Sequence, residues 1–304
     1  MDILNQNESL LFKFSPINLN LIRTLVNSQI WGSAFNKLND PFEGKFEIEE
    51  MKLPSEAILS SFYKDNKSYN YSSESISKRI NKIKKSPSNF YKDLEADLRL
   101  KFLNRIKIAC FSLIYNEILM WSHYANEHKG VCLLFDKKIL INSDSLEKEN
   151  FEIDYIDEKK VLYEKRDNLK INFEYDEVLQ AEVENFDEIV FKKLDCWKYE
   201  KEYRILAMER SYKASDGINI NFNKNALCGV IFGEKCSFAD IRLICSILTN
   251  YGYVDSKFIW GASKIVPSTG ELVSIFENGF IDSEYLLMQR NQWLYYTYSE
   301  KNFL

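Results

Sequence analysis

The sequence lacks the motifs that mark several large enzyme classes. Its 304 residues contain no G-x-S-x-G, no Walker A and no G-x-G-x-x-G segment. Neither a nucleophile on a strand-to-helix turn nor a glycine loop around a phosphate is therefore indicated. This absence disfavours phosphate-loop enzymes and dinucleotide-binding Rossmann domains.

Histidine is rare, and the cysteines are not arranged in pairs. The two histidines, His123 and His128, lie five residues apart, whereas two metal ligands on one helix are usually four apart. A site shared with Glu127 or Cys132 stays a minor alternative, and the sequence predicts no metal. None of the six cysteines forms a C-x-x-C pair. A nucleophilic pair of Cys110 or Cys132 with His123 is also disfavoured, because both thiols fall in apolar segments, where they are usually inert.

Long apolar runs and a secretory signal are missing as well. No uninterrupted apolar run approaches the ~18 residues that a membrane helix needs. The first residues, MDILNQNESLLFKF, have neither a basic start nor an apolar core. We therefore expect a cytoplasmic protein with reduced thiols and no membrane contact.

Positive charge is not in excess, since the net charge is -5. The protein as a whole therefore has no field that attracts nucleic acid or an anionic membrane. A local basic run, Lys78 to Lys85, is predicted to be the solvated face of a helix. Contact of this run with phosphates is the alternative.

The hydrophobic pattern predicts an α+β fold. Apolar or alternating segments predict strands at residues 10–14, 31–34, 106–112, 131–135, 202–208 and 227–232, with short ones near 257–260 and 271–276. Helices are predicted after Asn18, at 118–124 and from 238 to about 250. Residues 140–190 are acidic and predicted to be mostly helical, with one strand near 151–155.

Composition along the chain divides it into three parts. We expect a single α+β domain over residues 1–279, interrupted by a polar helical insertion at about 50–107. Residues 280–304 are rich in aromatic side chains. Such a segment is too apolar to stay in water, so we expect it to dock on the domain, on a second copy or on a partner protein.

Two glutamates, Glu200 and Glu202, are the most specific feature of the sequence. They are predicted to lie two residues apart on one face of a strand, behind an aromatic cluster. Like charges this close repel each other, so either cations neutralise them or a site uses them. One interpretation is a surface ladder of ion pairs with Lys198, Lys201 and Arg204. The other is a cleft in which a carboxylate faces the positive charge of a glycosyl transition state.

Three blocks carry a resemblance to a known family. NDPFEG at 39–44, MWSHYANEHKG at 120–130 and WKYEKEYR at 197–204 resemble a widespread bacterial family of domains of unknown function. The family name brings little chemistry with it.

The order of the blocks is also similar to the ADP-ribosyltransferase superfamily. That resemblance implies small mixed or antiparallel sheets that form a split core with helical insertions, and NAD bound as a substrate. Lys13 on the first strand stands at the key position, which usually carries Arg, His or an aromatic residue. Ser112 matches a strand-borne serine, and Glu200-x-Glu202 matches the final motif.

The same resemblance implies roles for individual side chains. Glu202 stabilises the ribosyl cation, and Glu200 orients or deprotonates the acceptor. NAD is contacted by Lys13, Ser112, Trp121, His123, Tyr124, Tyr199 and Arg204. The rim of the cleft is formed by Asn39, Asp40, Trp197 and His128.

Three functions follow as hypotheses. The first is an NAD-dependent ADP-ribosyltransferase that modifies a protein or nucleic acid, in the role of a toxin or an anti-phage effector. The second is a module without catalytic activity that senses a nucleotide or a protein. The third is a metal-dependent nucleic-acid effector in which Asp40 and Glu43 join the glutamate pair.

The first hypothesis predicts that Glu202→Gln abolishes turnover of labelled NAD and leaves the thermal midpoint almost unchanged. Turnover and thermal melting of the purified variant check this. Equal loss of activity and fold would indicate a structural role instead.

Overall fold

The computed structural model describes residues 9–41, 43–44, 47–48, 53–65, 72–99, 103–142, 153–164, 170–171, 189–210, 215–266, 269, 271–286 and 288. The helices, numbered in chain order, are α1 (Leu19–Asn27), α2 (Glu56–Asp65), α3 (Ser73–Lys85), α4 (Ser88–Leu98), α5 (Ile118–Tyr124), α6 (Lys137–Leu140) and α7 (Phe238–Asn250). Short 3₁₀ turns cover Phe35–Lys37, Asp195–Glu200 and Lys224–Ala226.

The strands make the fold α+β, as predicted. They are β1 (Leu10–Ser15), β2 (Gln29–Ala34), β3 (Glu47–Ile48), β4 (Ile106–Ser112), β5 (Val131–Asp136), β6 (Ile153–Lys160), β7 (Leu162–Glu164), β8 (Lys170–Ile171), β9 (Lys192–Leu194), β10 (Glu202–Glu209), β11 (Gly217–Asn221), β12 (Leu227–Phe232), β13 (Ile259–Ile265) and β14 (Leu272–Asn278).

Strand β4 organises the main sheet because it pairs with three other strands. One edge pairs with β10 along its whole length, from Glu202 opposite Ser112 to Met208 opposite Ile106. The other edge is shared. It pairs with β1 at Ser112 and with β2 at Ile108 and Lys107. Strands β1 and β2 therefore separate from each other along β4, and the sheet divides there.

The sheet continues from β1 and from β2 over different numbers of strands. From β1 the order runs through β5, β12, β13 and β14, and from β2 it runs to β11. All these pairs are antiparallel except β12 with β13. The main core packs α1 and α7 against one face of this sheet, through residues such as Leu25, Ile244 and Phe135. Asn18 caps α1, as predicted, by accepting hydrogen bonds from the amides of Asn20 and Leu21.

The predicted helical insertion is present as α2, α3 and α4. Ile76, Ile80 and Ile83 of α3 are buried in a separate core that also contains Ile108 of β4 and Leu206 of β10. The basic run is only partly a solvated face, because Arg79 points inward and binds both oxygens of Asp93.

The helix predicted over most of residues 140–190 is wrong for the larger part of what the structure describes, whereas the strand predicted near 151–155 corresponds to the start of β6. Residues 153–164 form β6 and β7 instead of helix. β6 pairs with the outer edge of β10 from Tyr203 to Glu209. The pairing partner lies about 50 positions away in sequence, so local periodicity could not reveal it.

Part of the aromatic tail lies among the described residues, and its first residues contact the domain. Leu286 is buried in the main core, and the ring of Tyr285 packs edge-on against Trp260. The segment after position 288 lies outside the described residues. Docking of the remaining tail stays a prediction.

All six cysteines are free thiols. None of the described helices has both the length and the apolar composition that would let it cross a membrane.

The turn between α5 and β5 has an unusual backbone. Asn126, Glu127 and His128 have φ angles of 48°, 55° and 69°. Each left-handed residue other than glycine costs about 1–2 kcal/mol. Two close approaches hold this turn in place: a Cβ on Gly130 would lie 2.2 Å from the carbonyl oxygen of Ser15, and one on Gly233 would lie 2.2 Å from that of His128.

We predict that Glu127→Gly raises the free energy of unfolding by about 0.5–1 kcal/mol, because glycine relieves the left-handed strain at the cost of some chain entropy. The matched control is Lys129→Gly, since both changes remove the same exposed Glu127–Lys129 ion pair and Lys129 has no positive φ. Urea unfolding measures both variants. Equal destabilisation of the two would contradict the assignment of strain to this turn.

Candidate functional site

A cavity of about 270 Å³ opens where β1 and β2 separate along β4. Its wall combines charged and polar side chains with aromatic rings. The lining residues are Phe12, Lys13, Phe14, Lys37, Leu38, Asn39, Cys110, Phe111, Ser112, Met120, Tyr124, Lys193, Glu200 and Glu202. Six of them, Lys13, Asn39, Ser112, Tyr124, Glu200 and Glu202, are site residues that the sequence predicted.

Glu200 reaches this cavity by a route that differs from the prediction. It does not lie on a strand but ends the 3₁₀ turn Asp195–Glu200, and Lys201 follows with a left-handed φ of 41°. Only Glu202 belongs to β10. The turn brings the two carboxylates together, and both side chains are buried.

The carboxylate of Glu200 is held by three donors. Its Oε1 accepts the hydroxyl of Tyr124 at 2.5 Å and the amide of Asn39 at 3.3 Å. Its Oε2 accepts Nζ of Lys193 at 2.6 Å. Asn39 also donates to the hydroxyl of Tyr124 and accepts from Lys193. The loop after the first 3₁₀ turn, helix α5 and strand β9 therefore meet at this one carboxylate.

The carboxylate of Glu202 is paired with its neighbour on β10, Arg204. Nε of Arg204 donates to Oε1 at 2.8 Å and Nη2 donates to Oε2 at 3.0 Å. Lys193 adds a contact of 3.3 Å to Oε2. Arg204 itself is fully buried, and it does not line the cavity. Its role in this structure is to hold Glu202 in place.

A third buried carboxylate, Glu43, completes the cluster. Its Oε1 lies 2.5 Å from Nη2 of Arg204 and 3.5 Å from Nζ of Lys193. Its Oε2 is buried without a hydrogen-bond partner. The sequence pointed to Glu43 only as a possible ligand of a divalent ion. In the structure, the positive charge beside it comes from Lys193 and Arg204.

The charges in the cluster set its protonation. Burial alone would raise the pKa of Glu202, but the charge and hydrogen bonds of Arg204 and the charge of Lys193 outweigh it and lower this pKa to about 2. Burial raises the pKa of Glu43 above its ordinary value, although both cations oppose the rise. Three carboxyl groups thus share two cations, and of Glu43 and Glu202 it is Glu43 that takes a proton more easily.

The surface ladder considered from the sequence is therefore not formed. Among the described residues, the ion pair of Lys198 is with Asp195, at 4.0 Å and on the surface. The cation that joins the two glutamates is Lys193, whose side chain is 2% exposed. No motif surrounds Lys193 in the sequence, and a lysine preceded by Lys192 reads as surface charge. Only the pairing of β9 with β7 places it under the cavity.

Lys13, on β1, also lines the cavity. Its Nζ donates to the carbonyl of Cys110 at 3.0 Å and lies 5.1 Å from the centroid of the Phe111 ring. Burial lowers the pKa of Lys13, and the nearby Cys110 and Glu202 only partly oppose that effect. Ser112 acts locally, since its hydroxyl donates to the backbone carbonyl of Glu200 at 2.7 Å.

The remaining predicted residues do not line the cavity. Trp121 is a fully buried residue of α5 that donates its Nε1–H to the carbonyl of Tyr115 and stacks on His128. His128 is 5% exposed, so it lies in the core and not on a rim. Asp40 is buried as well.

Three rings lie just outside the lining and connect its two sides. His123 packs against both Tyr124 and Tyr199, with centroids 6.3 Å apart in each case. Tyr199 contacts Trp197, whose ring lies 4.9 Å from Nζ of Lys193. These three rings form an arc that runs from Tyr124 to Lys193, two polar residues of the cavity lining.

We predict that Glu202→Gln lowers the free energy of unfolding by about 3 kcal/mol at pH 7, because it leaves buried Arg204 and Lys193 with less compensating charge. This corrects the expectation of an unchanged thermal midpoint. A carboxylate with a lowered pKa stabilises the fold above its unfolded pKa of about 4.5, and this contribution is lost as the pH falls toward about 2.

Denaturant unfolding of wild type and Glu202→Gln at pH 7 and at pH 3 measures this effect. The difference in stability between them should shrink at the lower pH. A difference that is the same at both pH values would show that the ionised form of Glu202 contributes nothing to the fold.

Comparison with known proteins gives one match. No curated protein and no solved structure matches the chain. A family model described as "Protein of unknown function (DUF2971)" matches residues 120–205. The matched segment begins at α5, and it includes the β9 lysine, the second 3₁₀ turn and Glu202. The segment that supplies both carboxylates of the cavity thus lies within the match to this family of domains of unknown function.

Proposed function

We propose that the cavity binds the nicotinamide riboside part of NAD and that the chain transfers ADP-ribose from NAD to an acceptor. The observation that carries this proposal is the pair of buried carboxylates, Glu200 and Glu202, on the wall of a cavity that also contains aromatic rings. Ligand pockets commonly enclose roughly 300–1,000 Å³. A cavity of about 270 Å³ suits one ring and one sugar and not a whole dinucleotide.

The placement of three distant residues supports the proposal. The resemblance to ADP-ribosyltransferases assigns Lys13, Ser112 and Glu202 to one cleft, and these residues are far apart in sequence. All three line the cavity. They come from β1, β4 and β10, the strands that meet where the sheet divides. A split core of the ADP-ribosyltransferase kind is the finer fold that we propose for this arrangement.

The charge of Glu202 suits the first chemical step. The bond between C1′ of the ribose and the nicotinamide nitrogen breaks, and the neutral ring leaves with the electron pair. Positive charge develops on the sugar, and a carboxylate that stays ionised at neutral pH stabilises it. Because Arg204 holds the carboxylate in one orientation, little reorganisation is needed at that moment.

Glu200 suits the second step. The acceptor forms a bond to C1′ and loses a proton, and a carboxylate within reach can take it. Tyr124 keeps its proton, since burial and the neighbouring Glu200 raise its pKa, so its hydroxyl can position the carboxylate but not replace it. The arc of His123, Tyr199 and Trp197 lies where an acceptor would approach. Its identity, protein or nucleic acid, is open in this proposal, as is a role as a toxin or anti-phage effector.

A specific observation favours a second function. Both oxygens of Glu200 and both oxygens of Glu202 already accept hydrogen bonds from protein groups. A site that is fully satisfied in this way can hold a nucleotide without transforming it. A sensor module without catalytic activity is therefore the alternative, and tight binding of NAD without release of nicotinamide would identify it.

We predict that the purified protein, supplied with NAD and a cell lysate, releases nicotinamide and transfers label from NAD to an acceptor. Glu202→Gln should lower both rates by about 10²–10³-fold. Glu200→Gln should lower transfer by at least about 10²-fold and leave slow hydrolysis of NAD in place.

The control is Lys198→Gln, which removes an exposed charge from the same turn and should change neither rate. Because Glu202→Gln is expected to be less stable, rates are compared well below its melting temperature and per mole of folded protein. Release of nicotinamide at the same rate by wild type and Glu202→Gln would refute the assignment.

A further inference from the structure

The cavity contains two lysines whose environments differ sharply. Lys193 contacts the carboxylates of Glu200, Glu202 and Glu43, at 2.6, 3.3 and 3.5 Å. The charges of these groups outweigh burial and raise the pKa of Lys193. This amine is therefore fixed as a cation and serves the ion cluster.

Lys13, in contrast, has mainly uncharged groups in direct contact with its amine in the part of the chain that the structure describes. Among the described residues, its Nζ contacts the carbonyl of Cys110 and the face of Phe111, and neither of these is a charged partner. Phe12 and Phe14 flank it on β1 and also line the cavity. Within the described ranges, Lys13 thus makes no direct ion pair, in contrast to Lys193, and burial of its amine disfavours the cation.

We propose that Lys13 is a nucleophilic amine that forms an imine with the open-chain aldehyde of a small sugar bound in this cavity. The amine nitrogen bonds to the aldehyde carbon, the carbonyl oxygen leaves as water with both amine hydrogens, and a C=N bond replaces C=O. No oxidant, reductant or further reactant is needed. The inference does not depend on turnover of NAD.

The other walls suit a sugar and not an apolar aldehyde. Glu200, Glu202 and Asn39 present oxygen and nitrogen atoms that can exchange hydrogen bonds with hydroxyl groups. The hydroxyl of Tyr124 lies beside them. An aldose carries several hydroxyl groups next to one carbonyl carbon, so its polar atoms can face these side chains while its aldehyde meets the amine.

The effect of burial on the amine supports the same view. Burial lowers the pKa of Lys13, which enlarges the neutral, reactive fraction at neutral pH. The charged or titratable groups that share its cavity are Lys37, Cys110, Tyr124, Lys193, Glu200 and Glu202. Cys110 and Glu202 partly oppose this lowering of the pKa of Lys13.

We predict selective labelling of Lys13 by a short aldose. The full chain is incubated with D-erythrose and cyanoborohydride, which traps the imine as a stable amine, and each lysine-containing peptide is quantified by mass spectrometry. At pH 7, Lys13 should be modified at least about tenfold faster than the exposed Lys198. Lys193, which is held by three carboxylates, should stay unmodified.

The variant Lys13→Arg keeps the positive charge and a donor but lacks a nucleophilic amine, so the fast phase should disappear from it. The comparison of peptides within the wild-type protein does not depend on the folding of this variant. Modification of Lys13 no faster than that of Lys198 would overturn the proposal, as would a fast phase that persists in Lys13→Arg. Neither result bears on the release of nicotinamide, so the two proposals can fail separately.

Discussion

The site depends on a buried ion cluster in which Lys193 and Arg204 hold Glu43, Glu200 and Glu202. These residues come from four separate segments of the chain, so the cluster joins β9, β10, the 3₁₀ turn before β10 and the loop after β2. Removing charges from water is costly, and a buried ion pair is often no more stabilising than apolar residues of equal volume. Such a cluster is therefore better explained by the charge it fixes at the cavity than by the stability it adds.

The ion cluster fixes the positions of the carboxylates that line the cavity. Arg204 orients Glu202 from behind, and Lys193 keeps Glu200 and Glu202 close in spite of their repulsion. Lys13, in the same cavity, has no comparable set of ion pairs among the described residues. One cavity thus combines a strongly fixed negative side with an amine that is only weakly held as a cation. This contrast supports both the glycosyl chemistry and the imine chemistry proposed for it.

The sequence was informative where the structure is local. Strand β4 and helices α1, α5 and α7 follow from short-range periodicity and capping, and Asn18 caps α1 as expected. The sequence was less informative where long-range pairing determines the structure. Most of β6 lies in a segment predicted to be helical, and Glu200, predicted on a strand, ends a 3₁₀ turn. Lys193 was missed because its burial depends on the short pair of β7 and β9. Arg204 and Trp121 were expected at the ligand, but both are buried behind the wall, since an alternating pattern does not say how deep a side chain lies.

The central claim is that Glu202 is an ionised carboxylate facing the sugar of a bound nucleotide. A crystal structure with a non-hydrolysable analogue of NAD tests this claim most directly. The account predicts that the nicotinamide riboside part lies between β1 and β4, with a ribose hydroxyl within hydrogen-bonding distance of Glu202. An analogue bound elsewhere on the chain, with the cavity occupied only by water at the same concentration, would contradict it.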